Sequence, residues 1–347
     1  MFTEKQTERY SRHIILKGFG ADFATEQVDK ILPRNLCALI KSTFGFKLGG
    51  VCPYLEASDL IIGENTCDGK KKAYEVFKTL VSSLYIMDMP QTKSPESRSL
   101  LRSEYLKLIS RIEALTGNKI AKDNLNKAID IVNEKRKAVY RLSKTRANIP
   151  TPISGLDSLL INQIFFCEDP VRFTNQINSL CEELEIRAKS QIGSFPKDTP
   201  RILISGCPMA VPNWKLPSII ETNGAVIVAE ESCVGERGTR NLVDNTGATL
   251  DALIDSIVDR YFRIDCAIYS PNLDRFEHIK EMYQQYRANG VVLYSIQFCT
   301  PYSIEATAIE KQLEKEGIPT IRIETDYSSE DAGQLKTRIQ AFVERIS

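Results

Sequence analysis

Short apolar runs alternate with amphipathic stretches from Arg201 to the end of the chain, and this alternation restricts the fold more than any other feature. Buried parallel strands appear as short apolar runs, and the helices that connect them show a period of about 3.6 residues. The pattern predicts a five-stranded, doubly wound sheet. Its predicted strands are Ile202–Ser205, Ala225–Ala229, Ala267–Ser270, Val291–Ile296 and Thr320–Glu324, with helices over Lys215–Thr222, Leu250–Tyr261, Leu273–Ala288, Ile304–Glu316 and Ala332–Ile346.

The part before Arg201 divides into a helical stretch and a smaller α/β stretch. Apolar residues at helical spacing fill Pro95–Gln191, with a break at Asn148–Gly155, where Pro150 and Pro152 lie. Upstream, strands over Asp59–Ile62 and Leu84–Met87 flank a helix over Gly69–Leu80. We therefore expect an α/β fold with two Rossmann-like or flavodoxin-like parallel-sheet domains, the first incomplete, joined by a helical region. The predicted limits are an atypical N-terminal segment at 1–30, a partial α/β domain at 31–95, a helical region at 96–198 and a C-terminal α/β domain at 199–347.

Charge and hydropathy argue against several kinds of partner. Lys plus Arg and Asp plus Glu number 45 each, so no overall positive field favours nucleic acid or an anionic membrane surface. The longest apolar runs are far shorter than the roughly 20 residues of a membrane-spanning helix. Residues 1–20 lack the apolar core of a secretory signal, and we therefore expect a cytoplasmic protein.

Cysteine is plentiful and histidine is scarce. The chain has nine cysteines, an odd number at wide spacing, which argues against a disulfide framework in a reducing compartment. Only two histidines are present, so histidine-based zinc sites and catalytic dyads are poorly supplied. Thiol-only ligation suits iron–sulfur clusters or structural zinc. Because the sequence contains no CxxC, the ligands of any such site must come from distant segments.

Several cysteines follow predicted strands. Ligands of open parallel sheets bind outside the carboxyl ends of the strands, where loops converge. Cys207, Cys233 and Cys299 each follow a strand of the predicted C-terminal sheet, and Cys67 follows a strand of the smaller unit and opens a helix. These positions predict a thiol site at the sheet edge, whereas ordinary burial of small apolar side chains is the alternative.

The remaining cysteines are less informative by position. Cys266 begins a predicted strand, which places it near the opposite edge of the sheet and makes it a weaker candidate for the thiol site. Cys167 and Cys181 lie in apolar helical patterns and are expected to be core residues. Cys37 and Cys52 lie outside clear strands, so position alone does not assign them a role.

A series of sequence motifs resembles the 2-hydroxyacyl-CoA dehydratase and benzoyl-CoA reductase superfamily, most closely its double-cubane-cluster anaerobic reductases. The motifs follow one another along the chain in the same order as in that family. They run from about Leu32 to the C-terminus: CALIKSTFGFKLGGVCPYLEASDLIIGENTCDGKKKAYEVF, MDMPQ, PISGLD, RILISGCP, EESCVGER, SPN, FCTPYSIE and IETDYSSED.

The resemblance implies an oxygen-sensitive [4Fe-4S] or double-cubane cluster between two α/β domains. It also implies a separate ATP-hydrolysing iron–sulfur activator that delivers low-potential electrons, a homodimer, and a small-molecule or acyl-CoA substrate. The cluster ligands that it implies are Cys37, Cys67, Cys207, Cys233 and Cys299, with Cys52 as a further, less defined position. The sequence has no GxxxxGKS loop, so ATP hydrolysis is expected on the partner.

The N-terminus departs from the family pattern. The family has an α/β segment before CALIKS that supplies another cysteine, and this chain has no cysteine before Cys37. Residues 1–20, with RYSRHIILKGFG, instead resemble the opening of adenylating enzymes of the ubiquitin-activating type, without the glycine-rich nucleotide loop that follows there.

Three functions follow as hypotheses. The first is an iron–sulfur reductase component that receives electrons from the activator and reduces a small substrate. The second is an (R)-2-hydroxyacyl-CoA dehydratase subunit, and the third is a non-catalytic or truncated cluster or electron-transfer protein. Four acidic residues flank the predicted strand ends, where they could relay protons or simply partner helix dipoles: Glu230, Glu231, Glu305 and Asp326. No catalytic residue is assigned.

Overall fold

Parallel strands form two separate sheets in the part of the chain that the computed structural model describes, residues 28–210 and 213–347. One sheet has two strands and the other has four. Helices surround both, which confirms the predicted α/β class with two parallel sheets. The predicted N-terminal segment 1–30 lies almost entirely outside these residues, and the domain limits remain a prediction.

The smaller sheet comes first in the chain. Its elements are α1 (Ala38–Leu48), α2 (Pro53–Glu56), β1 (Ile61–Glu64), α3 (Asp68–Phe77) and β2 (Leu84–Met87). The two strands are parallel, with Ile61 opposite Leu84. Phe44 of α1 and Phe77 of α3 meet edge to face with ring centroids 5.0 Å apart, an arrangement that aromatic quadrupoles favour. The predicted strand–helix–strand unit is thus confirmed.

A helical stretch separates the two sheets, as the apolar spacing predicted. It contains α4 (Pro95–Thr116), α5 (Lys122–Thr145), α6 (Gly155–Ile164) and α7 (Pro170–Lys189). Ser94 caps α4 by accepting a hydrogen bond from the backbone of Ser97 at 3.2 Å. Leu142 of α5 packs with Ile177 and Leu184 of α7 in a core of their own.

The larger sheet has the strand order β4-β3-β5-β6, and all its pairs are parallel. Its strands are β3 (Arg201–Gly206), β4 (Val226–Glu231), β5 (Gly290–Ile296) and β6 (Thr320–Thr325). The associated helices are α8 (Lys215–Thr222), α9 (Glu236–Thr239), α10 (Leu250–Phe262), α11 (Leu273–Gln285), α12 (Thr300–Lys315) and α13 (Ala332–Ile346).

Both faces of the larger sheet are buried, because side chains alternate along each strand. Ile202 and Ile204 of β3 point to the face that α8 and α13 cover. Leu203, between them, points to the face that α11 and α12 cover. This two-sided burial explains why the strands are apolar along their length.

The predicted fifth strand, Ala267–Ser270, is wrong. These residues form a turn, in which the amide of Tyr269 donates to the carbonyl of Cys266 at 3.0 Å. The amide of Ser270 donates to Gln91, in the loop after β2, at 2.9 Å. The backbone donors are therefore used within the turn and toward the smaller sheet, and the segment does not extend the sheet beside β4.

A buried ion pair joins the helical stretch to the larger sheet. Arg146, directly after α5, donates two hydrogen bonds to the Glu230 carboxylate of β4, at 2.8 and 2.7 Å. Both side chains are almost fully buried. Such forked guanidinium–carboxylate pairs are strong and geometrically specific.

No helix within the described ranges is long and apolar enough to cross a membrane.

Candidate functional site

Three cysteine side chains from distant segments meet at the carboxyl edge of the larger sheet. Cys37 directly precedes α1, Cys207 follows β3, and Cys299 directly precedes α12. Cys37 and Cys299 pack against the core that contains Cys207, and the thiol of Cys299 interacts with those of both Cys37 and Cys207. We call these residues the three-thiol group. All three were predicted as site residues, two from strand ends and Cys37 from resemblance.

The strand ends hold this group in place. The amide of Cys207 donates to the carbonyl of Tyr294 on β5 at 3.1 Å, one step beyond Gly206, so the β3–β5 pairing continues to the thiol. The Cys207 sulfur accepts a hydrogen bond from the amide of Ile296 at 3.4 Å. The amide of Cys299 donates to the Ile296 carbonyl at 2.9 Å. Cys207 and Cys299 thus share the last residue of β5 as an anchor.

The neutral, protonated form of Cys37 and Cys299 is favoured in the metal-free chain. The interaction with the Cys299 thiol, followed by burial, raises the pKa of Cys37 well above its usual range. The contact with Cys207 raises the pKa of Cys299 in the same way. A cation that binds these sulfurs must displace their protons, as metals do when they bind thiolates.

A buried tyrosine hydroxyl accompanies the three-thiol group. Tyr327 packs against the core that contains Cys207, together with Cys37 and Cys299. Its hydroxyl is buried and has no hydrogen-bond partner in the described part of the chain. Burial raises the pKa of Tyr327 well above its usual value, and Tyr294 and the three thiols add to this effect. The site therefore contains a polar atom that the described residues leave unsatisfied.

Two further cysteines lie beside Tyr302, at the start of α12. The sulfur of Cys266 lies 3.8 Å from the Tyr302 hydroxyl. The guanidinium of Arg237 donates to that hydroxyl and to the Cys233 sulfur, the latter at 3.8 Å. Burial raises the pKa of Cys266, and its neighbour Cys233 raises it further. We call Cys233 and Cys266 the two-thiol group.

Tyr302 lies between the two thiol groups. It lies in the first turn of α12, three residues after Cys299, while its hydroxyl contacts Cys266. The expectation that Cys266 lies near the opposite sheet edge is therefore wrong. It rested on the absent fifth strand, whereas the turn that replaces this strand brings the Cys266 thiol to Tyr302.

The acidic residues at the strand ends are held by arginines. Glu231 accepts hydrogen bonds from Arg237 at 2.6 Å and from Arg275 at 3.1 Å. Arg275 also pairs with Glu305, and Glu230 has the arginine partner described above. These contacts support a structural role for the acids, in which they orient the arginines next to the two-thiol group.

Cys67 lies at the smaller sheet, as predicted, where it opens α3 at the carboxyl ends of β1 and β2. It borders a cavity of about 350 Å³. Asn65, Lys71 and Asp88 also line this cavity, together with the apolar side chains of Met89 and Leu100. The thiol contacts described above, among residues 28–210 and 213–347, do not include Cys67.

Cys52, Cys167 and Cys181 have other surroundings. Cys52 is buried in the core of the smaller sheet, where its sulfur accepts a hydrogen bond from the amide of Leu55 at 3.4 Å and caps α2. Its predicted ligand role therefore has a structural alternative. Cys181, on α7, is fully buried where this helix packs against α5, as expected for a core residue. Cys167 is half-buried.

Within the described ranges, no three His, Cys, Asp or Glu side chains are spaced to hold one metal ion. The thiols of the three-thiol group are donors of the kind that an iron–sulfur group uses. Convergent thiols with a buried hydroxyl that lacks an acceptor meet the needs of such a group, because hydrogen bonds to its sulfurs are part of its environment.

Comparison with known proteins gives a consistent picture. The chain matches the family model "2-hydroxyglutaryl-CoA dehydratase, D-component" over residues 12–346. The match begins within the N-terminal stretch that resembles the opening of adenylating enzymes, so part of that stretch also aligns with the dehydratase family.

Several curated relatives align with nearly the whole chain. YjiM of Escherichia coli (strain K12), whose name proposes a dehydratase subunit, is 37% identical over 94% of this chain and 84% of its own length. The (R)-phenyllactyl-CoA dehydratase beta subunit of Clostridium sporogenes is 26% identical over 94% and 85% of the two chains. A benzoyl-CoA reductase subunit of Thauera aromatica is 22% identical over 95% and 84%. The chain therefore belongs to the 2-hydroxyglutaryl-CoA dehydratase D-component family, within the 2-hydroxyacyl-CoA dehydratase and benzoyl-CoA reductase superfamily.

Proposed function

We propose that this chain is an iron–sulfur subunit that receives low-potential electrons from a separate ATP-hydrolysing activator and uses them to transform a small or acyl-CoA substrate. The observation that carries the proposal is the meeting of Cys37, Cys207 and Cys299 at one sheet edge. Three thiols from distant segments are more than packing requires, and thiol-only ligation is typical of iron–sulfur groups.

In this proposal the three-thiol group supplies the principal ligands. Cys233 and Cys266 lie on the other side of Tyr302 and are candidates for a second set, as a double cubane would require. Cys67 and Cys52 remain weaker candidates, because Cys67 lies at the smaller sheet and Cys52 already caps a helix. When bound, such a cluster supplies single electrons at low potential.

The protein's own groups would control access and charge around this site. Arg237 and Arg275 place two buried cations next to Tyr302, with their guanidinium carbons 5.7 and 4.7 Å from the ring centroid. Glu231 balances part of this charge. Fixed cations near a cluster favour its more negative, reduced state, so these arginines would make the cluster easier to reduce.

Two reactions are compatible with this arrangement. A reductase component is one, in line with the likeness to the benzoyl-CoA reductase of Thauera aromatica. An (R)-2-hydroxyacyl-CoA dehydratase subunit is the other, and the name of the Clostridium sporogenes relative, which is more similar to this chain, favours it. Turnover of an (R)-2-hydroxyacyl-CoA by the reconstituted protein with an activator and ATP would support the second reaction.

Partners follow from the same proposal. An activator protein with its own iron–sulfur cluster would hydrolyse ATP, since this chain has no GxxxxGKS loop. A homodimer is the predicted assembly. The names of the relatives denote subunits, which favours a complex with a second kind of chain as the alternative. The native mass of the purified protein, measured alone and after co-expression with a candidate partner, distinguishes the two assemblies.

The test of the cluster is a comparison of cysteine variants. The full chain is purified without oxygen and reconstituted with iron and sulfide, and iron and acid-labile sulfide are measured per chain. We expect the wild-type protein to bind iron, and Cys207→Ser and Cys299→Ser to bind clearly less. Cys181→Ser is the matched control, because it replaces an equally buried thiol in another core. Equal iron in all three variants would contradict the proposal.

A further inference from the structure

The loop after β6 presents Tyr327 in a fixed position. The ammonium group of Lys215 donates to the Asp331 carboxylate and to the carbonyl of Ser328, both at 2.6 Å. The Asp326 carboxylate accepts a hydrogen bond from the amide of Ser328 at 2.9 Å. These bonds tie the loop to itself and to α8 on both sides of Tyr327, so its side chain has little freedom to turn away from the core.

Backbone hydrogen bonds place this loop beside the thiols. The amide of Gln297, after β5, donates to the carbonyl of Thr325 at the end of β6, at 2.9 Å. The carbonyl of Gln297 in turn accepts a hydrogen bond from the amide of Ala38 at 3.4 Å. Three segments thus run side by side, and they carry Tyr327, Cys299 and Cys37.

Among the described residues, the hydroxyl of Tyr327 has no hydrogen-bond partner, whereas that of the neighbouring Tyr294 has one. Tyr294 is also buried in this core, and its hydroxyl accepts a hydrogen bond from the side-chain amide of Asn213 at 2.8 Å. The Tyr327 hydroxyl is buried without any such partner among residues 28–210 and 213–347. A buried hydroxyl left unpaired lowers the stability of the fold, so its retention here needs a reason.

We infer that the Tyr327 hydroxyl donates a hydrogen bond to a sulfur atom of the iron–sulfur group held by the three-thiol group, and that this bond raises the reduction potential of that group. The inference rests on the proposed function. Thiolate and sulfide sulfurs accept hydrogen bonds, and a donor stabilises the more negative, reduced state. Tyr327 would in this way tune how readily the group accepts an electron.

The test compares Tyr327→Phe with the wild-type protein, each as the full chain reconstituted without oxygen. Iron and sulfide per chain are measured first, and the midpoint potential is then followed by electron paramagnetic resonance during a redox titration. We expect unchanged iron and sulfide and a lower midpoint potential in Tyr327→Phe. The control is Tyr85→Phe, which removes a hydroxyl from a half-buried tyrosine on β2 and should leave the potential unchanged.

Failure of this inference differs from failure of the proposed function. A wild-type protein that binds no iron would overturn both. Normal iron with an equal potential in wild type and Tyr327→Phe would overturn the tyrosine's role alone. Loss of iron from Tyr327→Phe would also overturn it, provided that the metal-free variant melts at the wild-type temperature or above, because a group that only tunes the potential is not needed to hold iron.

Discussion

The backbone amide of Cys207 donates a hydrogen bond to the carbonyl of Tyr294. The residue before Cys207 is a glycine, at a position with no room for a side chain. Gly206 has φ of 152°, and a Cβ atom built there would lie 1.8 Å from the Tyr294 carbonyl oxygen. The close approach of β3 and β5 at this point aims the Cys207 thiol toward Cys299. The geometry of the three-thiol group thus depends on the absence of a side chain one residue earlier.

Gly206→Ala should therefore damage both stability and the thiol site. We expect a loss of at least ~3 kcal/mol in the free energy of unfolding, the upper end for ordinary point mutations, because backbone cannot move aside as a flexible side chain can. Denaturant unfolding of the metal-free protein measures this loss. Gly224→Ala is the matched control: Gly224 also has positive φ, 86°, but open space around it, so it should lose only about 1–2 kcal/mol. Equal losses would contradict the argument.

Removal of one partner of the buried Arg146–Glu230 pair should be costly. Arg146→Met leaves the Glu230 carboxylate buried without its forked partner, and we expect a loss of about 3–5 kcal/mol. The double variant Arg146→Met with Glu230→Gln should recover part of this loss, since no unpaired charge remains. Lys137→Met is the control, because it breaks an exposed pair with Glu134 and should cost less than ~1 kcal/mol. Denaturant unfolding at neutral pH measures the loss in each variant.

Lys135 should make stability depend on alkaline pH. Its ammonium group contacts the ring of Phe165 and donates to the carbonyls of Phe165 and Glu168. Burial lowers the pKa of Lys135 from 10.5 to about 8. Between these two values the unfolded chain binds more protons than the folded one, so the free energy of unfolding should rise with pH, by up to about 3 kcal/mol.

The variant Lys135→Met tests this dependence. It should remove the rise across the window from about pH 8 to about 10.5, as measured by urea unfolding at several pH values. Lys137→Met, which removes an exposed ammonium group two residues later, should retain it. A rise of the same size in Lys135→Met as in the wild type would assign the effect to other groups.

The cysteines of the metal-free protein should differ widely in their reaction with a maleimide. Cys233 is exposed and should be modified first, whereas Cys181 and Cys207 are nearly inaccessible and should react last. Mass spectrometry of peptides after short labelling times gives the order. If the two-thiol group binds iron as proposed, reconstitution should protect Cys233 as well. Labelling of Cys181 as fast as Cys233 would contradict the burial on which this order rests.

Much of the site could be predicted from local pattern together with one rule of sheet architecture. Apolar runs located β3 and β5, and the rule that ligands gather at carboxyl ends of parallel strands then singled out Cys207 and Cys299. Cys37 was different, because it precedes a helix and no strand ends near it in the sequence. Only its motif, through the family resemblance, indicated it.

The part that could not be predicted depends on tertiary contacts. The apolar character of Ala267–Ser270 suggested a strand, but the backbone donors of Tyr269 and Ser270 go to a turn and to the loop after β2. That single error placed Cys266 at the wrong edge. The role of Tyr327 was equally invisible, since an unpaired hydroxyl is a property of the packed core and leaves no trace in residue spacing.

The cysteines of the three-thiol group come from three segments that lie far apart in the sequence. During synthesis, at roughly 5–20 residues per second, Cys299 leaves the ribosome on the order of ten seconds or more after Cys37. No nascent chain that stops short of β5 and α12 can offer all three sulfurs together. Iron delivered to this protein in the cell would therefore meet all three sulfurs only after β5 and the start of α12 have been made, which places insertion of the proposed cluster after the synthesis of Cys299.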